Sequence, residues 1–145
     1  MKKWIGLLLT VMMMGSLSAC GSSAEAASEE AEKIDVDLSS LSSTMVYSEV
    51  YNMVSSPEDY KGKMVRMTGT FGAYEGEERN YFSCMIADAT SCCSNGIEFV
   101  LSGDHTYPED YPELGETITV TGTFATYMEG EYEYCQLIDA VMTTE

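Results

Sequence analysis

The residues with the widest range of chemistry in this sequence are four cysteines, Cys84, Cys92, Cys93 and Cys135. An even number of cysteines in an exported chain is typical of disulfides, each of which stabilises a fold by about 2–4 kcal/mol. Four thiolates are also a ligand set that Zn²⁺ prefers, and Cu(I) favours the same soft donors. Buried or redox-active thiols are a third interpretation. Disulfides, a metal site and reduced thiols therefore all stay open.

The spacing of these cysteines indicates which disulfide would be strained and where the sulfurs would lie. Cys92 and Cys93 are adjacent, and a disulfide between neighbours would strain the intervening peptide. Cys84 and Cys135 both begin the pattern Cys-x-x-x-Asp-Ala, so we expect both side chains to point inward from equivalent strands. We therefore expect the four sulfurs to lie near one end of the fold, although the sequence lacks the Cys-x-x-Cys spacing of zinc knuckles.

Three further side chains are secondary candidates for the same site. Asp88 and Asp139 complete the two Cys-x-x-x-Asp-Ala patterns, and we expect them to end their strands as turn residues rather than to bind metal. His105 is the single histidine and a candidate extra ligand, although a histidine in a loop is usually solvated. The sequence requires no cofactor, and zinc is the candidate cofactor at these residues.

Five tyrosines flank two acidic turns at residues 75–77 and 129–131. They are Tyr74, Tyr81, Tyr127, Tyr132 and Tyr134. Such a group can form an aromatic platform for a sugar, a peptide or a cationic ligand. The alternative, which the sequence favours, is cross-strand pairing on a solvated sheet face.

The charge of the chain excludes several classes of partner. The net charge is −17, from 24 acidic and 7 basic residues. Nucleic acids and anionic membrane surfaces both need a basic footprint, so we expect neither as a direct partner. The sequence also contains no nucleophile-elbow, zinc-protease or phosphate-binding loop motif. We therefore predict a binding protein and not an enzyme.

The first twenty residues are typical of a secretory signal. Lys2 and Lys3 precede a short apolar run at residues 5–14, and small residues follow. The run is shorter than the ~20 residues of a membrane-spanning helix. It ends in Leu-Ser-Ala-Cys at residues 17–20, which resembles the lipobox of bacterial lipoproteins.

The lipobox resemblance implies both an anchor and a location. Residues 1–19 would be removed, and Cys20 would carry a diacylglyceryl thioether together with further acyl chains such as palmitate. Several chains give stable anchoring where one would be marginal. The resemblance thus places the protein in the bacterial cell envelope, bound to the membrane through Cys20 and facing the extracytoplasmic side.

The elements that would position the candidate residues follow this anchor. Residues 20–43 are rich in Ser, Ala and Glu, and we expect a flexible acidic tether because few side chains can be buried. Apolar residues recur every three or four positions over 46–54, which predicts one short helix ending at Pro57. The domain is therefore expected to span residues 44–145.

Alternation with a period of two predicts five strands after the helix, over residues 65–71, 81–86, 97–101, 118–124 and 134–138. Turns are expected at residues 75–77, 94–96 and 129–131. The first and fourth strands are near-repeats, and Gly69 and Gly122 occupy equivalent positions where a strand would bend. This pattern predicts an all-β fold, a five-stranded OB-like barrel preceded by one short N-terminal helix.

The region from about residue 45 to 143 resembles the OB-fold domains of bacterial exported lipoproteins, on the segment at residues 56–71. The segment at residues 86–93 also resembles the extracytoplasmic OB-like domain of a group of bacterial membrane proteins with a metal-related function. The resemblance implies a membrane-anchored extracytoplasmic binding lipoprotein, associated with a metal through the cysteine cluster. A membrane protein or transporter is the partner class that it suggests. A disulfide-stapled structural or protein-interaction module without a metal is the alternative.

Overall fold

A computed structural model describes residues 33–88, 90 and 93–144. The predicted signal at residues 1–19, the lipidated Cys20, the tether up to residue 32 and Cys92 lie outside the described residues. No helix within the described part of the chain is both long enough and apolar enough to span a bilayer.

The described residues form a mostly β structure with one α-helix, so the predicted fold class is confirmed at this level. The strands are β1 (Val36–Asp37), β2 (Met64–Glu75), β3 (Asn80–Ala87), β4 (Ser94–Leu101), β5 (Thr117–Glu129) and β6 (Tyr132–Thr144). The helix α1 (Ser43–Ser55) lies between β1 and β2, and a 3-10 turn (Pro57–Asp59) follows it.

Helix α1 forms where the apolar spacing predicted it. Val46, Val50 and Met53 are buried on one face, because residues three and four positions apart share a side of a helix. The helix ends before Pro57, since the residue preceding a proline is pushed out of the α region. Ser56 accordingly has φ −140° and ψ 61°.

The six strands belong to one sheet. The pairings run from β2 through β3, β4, β6 and β5, and β5 pairs back with β2. All of these pairs are antiparallel except β4 with β6, which is parallel. β2 pairs with two strands: its residues 64–70 pair with β5, and its residues 70–75 pair with β3.

Two strand glycines lie where backbones approach closely. A Cβ at Gly69 would lie 2.5 Å from the Met85 carbonyl oxygen on β3, and one at Gly122 would lie 2.9 Å from the Ile138 oxygen on β6. Gly122 faces a β-bulge, where Asp139 has a positive φ of 50°. The expectation that Asp139 ends its strand is therefore wrong, since β6 continues to Thr144.

The N-terminal edge of the domain differs from the prediction. β1 pairs in parallel with β2, and the next residue, Leu38, is 2% exposed in the hydrophobic core. Val36 and Leu41 also pack against that core. The proposed tether over residues 20–43 therefore extends too far, because three apolar side chains near its end are covered by the domain.

One predicted turn is also wrong. Residues 94–96 form the start of β4, and Asn95 and Gly96 pair with Ile86 and Met85 on β3. The β2–β3 and β5–β6 turns occur where they were predicted, at residues 76–79 and 130–131.

The hydrophobic core that the strands enclose contains three phenylalanines, Phe71, Phe99 and Phe124, which are 1–2% exposed.

Candidate ligand-binding groove and the cysteines

The cysteines occupy three different environments. Cys84 lies on β3 in the core with no exposed surface, and burial raises the pKa of its thiol to about 12. Cys135 lies half-buried on β6, where its Sγ is 4.0 Å from the carbonyl oxygen of Met53, and burial also raises its pKa. Cys93 lies exposed just before β4.

The sheet separates Cys84 from Cys135. Cys84 pairs with Ile97 on β4, and the parallel register of Glu98 with Gln136 brings Cys135 to the level of Ile97. Two strand spacings therefore separate the cysteines, a Cα distance of roughly 8–10 Å. A disulfide requires Cα atoms within about 7 Å, so bridging these two would need backbone movement. Cys84 and Cys135 are both free thiols in the structure.

The described cysteines do not combine with other ligands into a metal site. Within residues 33–88, 90 and 93–144, no group of three or more His, Cys, Asp or Glu side chains could hold a metal ion. Cys92, the fourth predicted ligand, lies outside these residues. The predicted zinc site thus gains no support from Cys84, Cys93 and Cys135.

The secondary ligand candidates make local contacts instead. The Asp88 carboxylate accepts hydrogen bonds from the backbone N–H and the hydroxyl of Thr90, both at 3.0 Å. This is the turn role predicted for Asp88. The Nε2 atom of His105 lies 3.0 Å from the carbonyl oxygen of Ser102, and the ring meets Tyr111 edge-on.

A groove of about 670 Å³ lies on the opposite face of the sheet from the core. Phe71, Cys84 and Ile97 point into the core, so their neighbours Gly72, Ser83 and Gly96 face outward, because successive strand residues alternate between faces. These residues line the groove, together with Met85, Glu98 and Tyr81. The volume is within the range of ~300–1,000 Å³ that is usual for small-ligand sites.

The two hairpin turns bound the groove. Gly76 and Glu77 contribute from the β2–β3 turn, and Glu129 contributes from the end of β5 beside the β5–β6 turn. The Tyr81 hydroxyl donates a hydrogen bond to the Glu129 carboxylate, which links the two sides. The groove therefore joins residues from both of the acidic turns that the sequence singled out.

Arg79 lies between two tyrosine rings beside the groove, and its neighbours Tyr81 and Glu98 are among the groove's lining residues. Its guanidinium carbon is 4.3 Å from the ring centre of Tyr81 and 4.8 Å from that of Tyr127. One guanidinium nitrogen is 4.0 Å from an oxygen of Glu98, and the Tyr127 hydroxyl donates to that same oxygen at 2.7 Å. The three aromatic and acidic groups form a cage around a cation.

Four of the five tyrosines pair with one another across strands, which is the role that the sequence favoured, and three of the five also line the groove. Tyr74 pairs across the strands with Tyr81, and Tyr127 pairs with Tyr134 at a ring separation of 5.5 Å. Tyr74, Tyr81 and Tyr134 also line the groove. Burial and the bond to Glu98 raise the pKa of Tyr127, and the bond to Glu129 raises that of Tyr81, so both hydroxyls stay protonated donors.

Sequence reasoning did not single out Arg79 and Glu98. One signal was available, since Arg79 is the only Lys or Arg after Arg66 in this acidic chain. The contact of Arg79 with Tyr127 depends on tertiary structure and has no signature along the chain.

The sequence matches no known family model, and no curated protein matches it either.

Proposed function

We propose that this protein is a lipid-anchored, extracytoplasmic binding protein with an OB-fold barrel, and that its ligand site is the groove. The pairing order from β2 through β3, β4, β6 and β5 and back to β2 supports a closed five-stranded barrel. The parallel β4–β6 pair supports the Greek-key path of an OB fold. Gly69 and Gly122 also support a closed barrel, because a sheet that closes into a barrel needs positions where strand backbones approach each other closely.

The position of the groove is the observation that carries the proposal. OB folds bind their ligands on the face of the second and third barrel strands, between the loops that join strands one to two and four to five. In this chain those elements are β3, β4 and the two acidic hairpin turns. The groove lies on these elements and is lined by tyrosines and carboxylates. Its residues can stack on a ligand and accept hydrogen bonds from it.

The anchor in this proposal is Cys20, which the lipobox supports. The acidic segment that follows would hold the domain away from the membrane, and the packed domain begins near β1. A membrane protein or transporter in the same envelope is the partner class that suits this placement. Nucleic acid stays excluded by the net charge of −17.

Metal association through the cysteines remains a secondary part of the proposal. Cys84 has no exposed surface, and its raised pKa disfavours the thiolate that zinc needs. A stapled structural module is the alternative, but Cys84 and Cys135 are not in a disulfide. The groove therefore supports ligand binding better than the cysteines support either of these functions.

The binding proposal is tested with the detergent-solubilised full-length protein and three soluble probes: a neutral oligosaccharide, an acidic peptide and a basic peptide. We expect at least one probe to shift the amide NMR signals of Gly72, Ser83 and Gly96. Thr68 and Thr119, which pair on β2 and β5 outside the groove, serve as the control signals. If no probe shifts the groove signals, the groove is not the ligand site and the binding proposal fails.

A further inference from the structure

We infer that the groove binds a basic peptide segment through an arginine side chain, and that Arg79 occupies the place of that side chain when no ligand is bound. The inference rests on the proposed function, because it names the ligand class of the same groove. Arg79 then acts as a tethered competitor that the ligand displaces.

The geometry around Arg79 suits a guanidinium group. A cation held within about 6 Å of a tyrosine ring centre is attracted by the ring face. Arg79 satisfies this condition with Tyr81 and with Tyr127 at the same time, and Glu98 supplies the countercharge. The cage is therefore already shaped and charged for one guanidinium group. A guanidinium from another chain would find the same stacking faces and the same carboxylate.

The charges around the cage are complementary to a basic ligand. Glu77, Glu98 and Glu129 line the groove. Further carboxylates occur in or beside the two hairpin turns, at Glu75, Glu78, Glu131 and Glu133, and Glu133 is paired with Lys61 at 3.2 Å. Arg79 is the only Lys or Arg between Arg66 and the end of the sequence. These carboxylates outnumber Arg79 and Lys61, so the groove region is negative, and a ligand with more than one positive charge would be attracted to it.

The position of Arg79 allows its side chain to leave the cage. It lies at the end of the β2–β3 turn, outside both strands, and its side chain is 42% exposed. The distance of 4.0 Å to Glu98 is at the outer limit of an ion pair. The groove of about 670 Å³ is larger than one guanidinium, so it has room for the neighbouring residues of a peptide.

The experiment titrates a short peptide with two arginines into the detergent-solubilised full-length protein. The control peptide carries citrulline at both positions, which keeps the shape of arginine but removes its charge. We expect the arginine peptide to bind at least about tenfold more tightly and to lose affinity as salt is added. Equal affinity for the two peptides would overturn the inference.

The role of Arg79 is tested with Arg79→Gln, which empties the cage. We expect this change to raise the affinity for the arginine peptide by about fivefold or more, because no internal group has to be displaced. Lys33→Gln is the matched control, since it also removes one positive charge but from a side chain that is 90% exposed. If Arg79→Gln weakens binding, Arg79 is part of the site rather than a competitor for it, and the inference fails.

Variants of the cage walls separate this inference from the proposed function. Tyr81→Leu should lower affinity for the arginine peptide about tenfold, whereas Tyr51→Leu, on α1 and outside the groove, should not. Thermal melting shows whether each variant is folded. If Tyr81→Leu does not fold, Arg79→Gln on the exposed turn still tests the inference. If the oligosaccharide or the acidic peptide binds in the groove and the arginine peptide does not, the inference fails but the binding proposal stands. If none of them binds, both fail.

Discussion

At the scale of single residues, burial decides which chemistry a cysteine can perform. The thiolate is the form that attacks electrophiles and binds metals. Cys84 has no exposed surface, and its pKa of about 12 keeps it protonated at neutral pH. Cys93, by contrast, lies exposed just before β4. The two cysteines therefore differ in their access to solvent and to reagents.

Cys84 should react with iodoacetamide at least about a hundredfold more slowly in the folded protein than in urea, because both the thiolate fraction and access are low. Labelling followed by peptide mass spectrometry measures each cysteine separately. Cys93 serves as the internal comparison, since its exposure predicts rapid labelling. Rapid labelling of Cys84 in the native state would contradict the buried environment.

The raised pKa of Cys84 also predicts a loss of stability at alkaline pH. The folded pKa of about 12 lies above the ordinary value of 9.0, so the folded protein holds this proton more tightly than the unfolded chain. The stabilisation is complete below pH 9 and is lost as the pH rises toward 12. The difference in unfolding free energy between wild type and Cys84→Ala should therefore shrink between pH 8 and pH 10.5 in urea titrations. A constant difference would argue against the shift.

At the scale of elements, the segment before α1 is held by the sheet. The Asp35 N–H donates to the Met64 carbonyl, and the Leu38 N–H donates to the Arg66 carbonyl at 2.8 Å. These bonds continue the short β1–β2 pairing on both sides. Leu38 is thereby fixed in the core beside the helix face that carries Val46 and Val50.

Leu38→Ala should lower the free energy of unfolding by about 2–3 kcal/mol, because it removes buried methyl groups and leaves a cavity. Leu114→Ala is the matched control, since Leu114 is 64% exposed and its loss should cost less than about 0.5 kcal/mol. Urea denaturation followed by circular dichroism gives both values. If the two substitutions have the same effect, residues 36–41 are not an integral part of the domain.

At the scale of the whole molecule, the proposed function depends on a domain that is tethered and negatively charged. The full sequence has a net charge of −17, and this excess of acidic residues would repel the protein from anionic lipid, so contact with the membrane would depend on the lipid at Cys20. The same charge would attract basic peptides toward the groove from a distance set by ionic strength. Membrane binding therefore depends on Cys20 and ligand binding depends on the groove, so the two can be tested separately.

Cys20→Ser should move the protein from the membrane pellet to the soluble fraction or leave an unprocessed precursor, because serine cannot form the thioether. Cys84→Ser is the matched control and should stay in the membrane fraction. Fractionation and intact-mass measurement distinguish these outcomes. A Cys20→Ser protein that is processed normally and remains membrane-bound would contradict the proposed anchor.

The sequence alone determined the features that depend on neighbouring residues. The spacing of Val46, Val50 and Met53 predicted the helix, and alternation with a period of two predicted the five longer strands. It could not reveal β1, because two residues carry no periodicity and their strand exists only through its pairing with β2. It also misread residues 94–96, where pairing with β3 overrode the turn preference of Asn and Gly.

Only the tertiary structure decided which of the candidate residues meet. The shared Cys-x-x-x-Asp-Ala pattern suggested equivalent sites, but β4 separates Cys84 from Cys135, and a bulge gives Asp139 a different backbone from Asp88. The cage around Arg79 draws Tyr81, Glu98 and Tyr127 from three strands. Local patterns show which face of a strand is apolar, whereas contacts between distant side chains depend on strand order and register, which no local pattern encodes.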